Sequence, residues 1–99
     1  MLQGWSDFEK GVEVRPSFGN QVNITYNGLL PRSGAEEVYV HCGYGDPNSW
    51  RDTQTLRMER TASGFEKTIP MRNHTAAFCF KDNAHNWDNN SGHNWLIRE

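Results

Sequence analysis

The sequence predicts an all-β fold, and three observations carry that expectation. Short alternations of apolar and polar residues recur along the chain. Gly, Pro, Asn and Ser punctuate them at roughly ten-residue intervals. No stretch shows the i, i+3, i+4, i+7 apolar spacing of an amphipathic helix. Together these indicate a single immunoglobulin-like β-sandwich of about seven to eight antiparallel strands. With 99 residues the chain supports one modest core. Residues 1–10 read as an N-terminal tail or added edge segment, and residues 11–99 as the sandwich module.

In order, Trp5 and Phe8 sit in a segment without period, and one of them is expected to pack on the domain. Residues 11–15 alternate and are stopped by Pro16. Residues 21–26 alternate cleanly, with Val22, Ile24 and Tyr26 on one face, until Asn27-Gly28 turns the chain. Residues 37–42 place Val38, Val40 and Cys42 inward and Tyr39 and His41 outward. Gly43 to Trp50 reads as a loop, residues 55–60 as a strand around Leu56 and Met58, and residues 65–69 as another, ended by Pro70. Residues 76–80 are a nearly continuous apolar run, as in a central strand. A long polar loop, 81–94, leads into the last strand at Trp95.

Composition excludes several functions. A net charge of −2 and interleaved Arg and Asp/Glu give no basic face, so no nucleic-acid partner is expected. No apolar run approaches the ~20 residues of a membrane span, so no membrane partner is expected either. The first residues lack a basic start with an apolar run after it, so the chain as it stands is expected to be cytoplasmic, or extracellular if it is a module of a longer exported protein. Gly-x-Ser-x-Gly, Gly-rich phosphate loops and HExxH pairs are absent, and a small sandwich offers little depth for tuning a carboxylate pair. No enzyme activity and no cofactor are expected. Cys42 and Cys79 lie in apolar strands; they read as buried free thiols, with a cross-strand disulfide as the alternative.

The richest stretch is Trp87-Asp88-Asn89-Asn90-Ser91-Gly92-His93-Asn94-Trp95. Asp, Asn, Ser and Gly build turns through local hydrogen bonds and tolerate positive φ. Two tryptophans bracket this run, and one is expected in the core while the other faces out. A sugar ring presents an apolar C–H face and a rim of hydroxyls, so binding one takes a flat exposed ring with amides beside it. Loop-borne Trp50 and Trp87, with outward His41, meet that description. A calcium loop is the competing reading of the amide-rich run, although its Gly does not fall at the EF-hand position. No metal ligand is assigned.

At these residues the chain resembles the starch-binding carbohydrate-binding modules of families 25 and 53. The resemblance runs over about residues 12–98. It is carried by Ile24-Thr25-Tyr26-Asn27-Gly28, Val38-Tyr39-Val40-His41-Cys42-Gly43-Tyr44 with Trp50, Gly64-Phe65-Glu66-Lys67-Thr68-Ile69, Phe78-Cys79-Phe80-Lys81-Asp82 and the 87–95 stretch. It implies a non-catalytic sandwich that binds α-1,4-glucans such as starch, glycogen and maltooligosaccharides, and that targets an attached or associated amylolytic or glycogen-metabolising enzyme to them. The platform it implies is His41, Trp50 and Trp87. Asn89 and Asn90 are the candidates for the glucose hydroxyls, Asp88 and Asn94 for structuring the loop, and Trp95 for the core. The alternatives are a protein-interaction domain of a glycogen-targeting regulator, and a calcium-stabilised sandwich of other function.

Overall fold

Alternation forces each strand to bury one side, and two sheets facing each other satisfy all the strands at once. The computed structural model describes residues 3–46, 49–72 and 74–98. One sheet runs in the order β1 (Trp5–Asp7), β2 (Val12–Pro16), β3 (Gln21–Tyr26), β7 (Gly64–Pro70) and β6 (Glu59–Thr61). The other runs β10 (Trp95–Arg98), β8 (Thr75–Asp82), β4 (Val38–Tyr44) and β5 (Arg51–Arg57), with β9 (Trp87–Asp88) also paired to β8. All pairings are antiparallel. The expected all-β sandwich is therefore present. The described residues hold ten strands where alternation predicts seven to eight, because β1, β6 and β9 are only two or three residues long. Pro47 and Asn48, which fall in the expected 43–50 loop, lie outside the described residues.

Val12, Val14, Val22, Ile24, Tyr26, Phe65 and Ile69 from the first sheet meet Val38, Val40, Cys42, Phe78, Phe80, Trp95 and Ile97 from the second in one continuous core. Tyr26 lies flat on Phe80 across the gap, with centroids 3.8 Å apart and planes within 9°. Trp95 is 4% exposed, packs against Phe78 and Phe80, and donates its indole N–H to Asp7 Oδ2 at 3.3 Å. Trp5 stacks over Phe78, while Phe8 stands 84% exposed.

Two local departures have clear causes. Residues 55–60 are not one strand. β5 pairs with β4 and β6 with β7, so the chain changes sheets at buried Met58, whose N–H bonds Val38 O at 2.9 Å. Alternation continues across such a crossing and cannot reveal it. Residues Leu29–Arg32, which follow the Asn27-Gly28 turn, form one turn of helix (α1) that buries Leu30 and leaves Leu29 outside. The register sets His41 opposite Cys79 and Cys42 opposite Phe78. Cys42 joins the core and Cys79 the other face of the sheet, so both thiols are buried and free.

Candidate functional site

The outer face of the second sheet is built by register. His41 on β4 lies between Thr55 on β5 and Cys79 on β8, and Tyr39 lies between Arg57 and Lys81. Thr55 Oγ1 holds His41 Nδ1 at 2.8 Å, which fixes the imidazole on the sheet. Burial disfavours protonation of His41, and the charge of Lys81 adds to the effect. The ring is accordingly a neutral, flat surface at neutral pH.

Trp50 and Trp87 reach this imidazole from two different segments. Trp50 lies 5.7 Å from it, centroid to centroid, with planes 29° apart. Trp87 stands edge-on at 5.5 Å and 86°. The structure thus brings His41, Trp50 and Trp87 together on one face. The Trp87 plane is steeply inclined to the imidazole, whereas the Trp50 plane stays within 29° of it.

Trp50 is seated by a missing side chain. Gly43 sits at a bulge between β4 and β5. A Cβ built on Gly43 would stand 2.7 Å from both Trp50 Cβ and Cε3. The indole therefore rests directly on Gly43, a close approach that only glycine permits. Gly43→Ala is expected to push Trp50 off the face while sparing the core. Maltoheptaose affinity should fall about tenfold, with far-UV circular dichroism unchanged; calorimetric affinity equal to wild type would rule this seating out.

Trp87 is placed by the strand pair β8–β9. Asp82 caps the turn between them, accepting from the N–H groups of Ala84 and Asn86, each at 2.8 Å, and from Asn86 Nδ2 at 2.9 Å. Those hydrogen bonds, Asn86 foremost, hold its carboxyl below the usual range. Lys81 Nζ lies 5.6 Å from the ring centroids of both Trp87 and Tyr39, a cation–π bridge beside the imidazole. Beneath the rings, burial pushes the Cys79 thiol up to about 12, with nearby Asp88 adding to it, so the thiol stays protonated.

The amide-rich loop is an excursion from one edge of β8. Asp88 pairs with Phe80 and Trp95 with Phe78, so residues 89–94 all stand opposite Cys79. Asn90, Ser91, Gly92 and Asn94 take positive φ, which Asn and Gly tolerate best. Asn94 N–H bonds Asn89 O at 2.8 Å, Gly92 N–H bonds Asn89 Oδ1 at 3.0 Å, and Asn90 Nδ2 donates to Asn94 O at 3.0 Å. The amide of Asn90 is thus turned into the loop, and Asn94 serves through its backbone. Asn89 is exposed on the Trp87 side.

Asp88 does something its sequence position does not suggest. Its Oδ2 accepts the phenol of Tyr26 at 2.5 Å, while Oδ1 receives only a long 3.4 Å bond from Asn90 N–H. The same phenol oxygen accepts Leu30 N–H at 3.1 Å. Burial and this carboxylate raise the Tyr26 pKa far above normal. A core tyrosine therefore ties the Trp87 strand to α1. Among the described residues no three or more His, Cys, Asp or Glu side chains converge as a metal site would.

Sequence reasoning missed Gly43, Lys81 and Tyr26. Lys81 was legible in principle, since period-two alternation through residues 75–82 puts it on the His41 face. The apolar run before it hides the alternation.

The profile of starch/carbohydrate-binding modules of family 53 matches residues 22–78, which include His41 and Trp50 but not Trp87. An α-amylase of Clostridium acetobutylicum is 31% identical over 98 residues, covering 95% of this chain. The chain spans 12% of the length of that amylase. No solved structure matches the chain. With more than half of its residues inside the family match, the chain belongs to the starch/carbohydrate-binding modules of family 53, a family of non-catalytic binding modules.

Proposed function

We propose that His41, Trp50 and Trp87 form the platform on which this starch-binding module lays an α-1,4-glucan. The observation that carries the reading is the inclined set of rings on the outer face of the second sheet. A β-linked glucan is straight and suits coplanar rings, whereas an α-1,4 chain coils and suits rings that turn with it. Exposed Asn89 stands beside Trp87 to meet hydroxyls, and Lys81 enriches the contact with a cation. Asn90 acts at one remove, by holding the loop.

So few rings immobilise few ligand atoms, and affinity is about micromolar to millimolar. The module does no chemistry itself. It raises the local concentration of an attached or associated enzyme on polysaccharide, and its compartment is that of the enzyme it serves. The similarity to one segment of an amylase supports an amylolytic enzyme in that place. The test is a calorimetric panel of the chain with maltoheptaose, soluble starch, glycogen, a β-1,4-glucan and xylan. Binding confined to the first three is expected. Equal binding of the β-linked polymers would sink the assignment, and silence toward all five would turn attention to a protein partner.

A further inference from the structure

Trp87 does not end the apolar surface. Beside it lies a hollow of about 430 Å³ lined by Glu9, Lys10, Leu29, Arg32, Trp87, Asp88, Asn89 and Ser91. That falls in the range of about 300–1,000 Å³ usual for small-molecule sites. Leu29 is 55% exposed, and it shares with Trp87 a second hollow of about 310 Å³. An exposed leucine next to an exposed indole, rimmed by cations, carboxyl groups, an amide and a hydroxyl, repeats the chemistry of a sugar subsite: an apolar floor with polar groups at its edge.

The walls of this hollow are built rather than incidental. Leu30 N–H bonds the Tyr26 phenol and that phenol bonds Asp88, so the residues after Leu29 and Trp87 are joined through one oxygen. Asn27 N–H bonds Gly11 O at 2.8 Å, and Arg32 Nη1 reaches Glu9 O at 3.4 Å, which hold α1 against the N-terminal turn. Glu9 and Lys10, like Trp87, lie outside the residues of the family match.

Building on the platform reading, we infer that an α-1,4-glucan continues past Trp87 into this hollow, with a further glucose unit over Leu29 and its hydroxyls toward Lys10 and Arg32. The extension discriminates by chain length, because a short oligosaccharide fills the platform before it reaches Leu29.

Calorimetry with maltotriose and maltoheptaose on the full chain tests this, with the association constant for maltoheptaose divided by that for maltotriose as the readout. In Leu29→Ala the ratio is expected to fall about threefold to tenfold, as the lost aliphatic contact implies. Lys10→Ala should lower it in the same direction. A ratio unchanged in both variants, or affinities for both sugars falling together, overturns the extension and leaves the platform standing. Trp50→Ala binding both sugars as tightly as wild type overturns the platform, and the extension with it.

Discussion

Replacing Trp87 with alanine is expected to weaken maltoheptaose binding by about ten- to a hundredfold, roughly 1.4–2.8 kcal/mol, without unfolding the domain. The indole is 46% exposed and stands outside the core cluster. It meets the His41 ring and the ammonium of Lys81, neither of which needs it to stay folded. Exposed substitutions of this kind change stability by about 0.5 kcal/mol, which for a domain of this size is a Tm shift of about 2–4 °C. In the proposed binding mode Trp87 joins the platform to the hollow beside it, so its loss is expected to interrupt both. Retention of the variant on an amylose column as strong as that of wild type would remove Trp87 from the site.

Tyr26→Phe is expected to cost about 1–3 kcal/mol of stability, although it deletes one oxygen. That oxygen donates to buried Asp88 and accepts from Leu30 N–H. Without it a carboxylate oxygen and an amide are both left without their partners in a dry environment, and a buried polar group that loses its partner carries its full desolvation cost. The ring would still stack on Phe80, so the core should keep its packing while α1 and β9 loosen from each other. Urea denaturation followed by Trp fluorescence should show a lower midpoint with a similar slope. A midpoint unchanged from wild type would mean that the Tyr26–Asp88 bond contributes little.

The strands were readable in the chain because their signal is local. Residues 21–26 and 95–98 form strands where alternation places them, and His41 faces outward because Val40 and Cys42 must face inward. Trp95 was legible as the core tryptophan because it opens a strand whose next inward residue is Ile97. The crossing at Met58 and the turn at Leu29 were not legible, since neither breaks a pattern confined to neighbouring residues.

The site divides in the same way. The sequence by itself determined which side chains are flat, which are amides, and that His41 leaves the core. Tertiary structure alone decided that Trp50 settles on Gly43, that Asp88 turns inward to Tyr26, and that Asn90 spends its amide on Asn94. Each of those outcomes depends on the space or the donor that a distant strand presents. Tyr26 and Asp88, for example, are 62 residues apart in sequence. Periodicity reports which face a residue takes, but the partner waiting on that face is set by how the two sheets close.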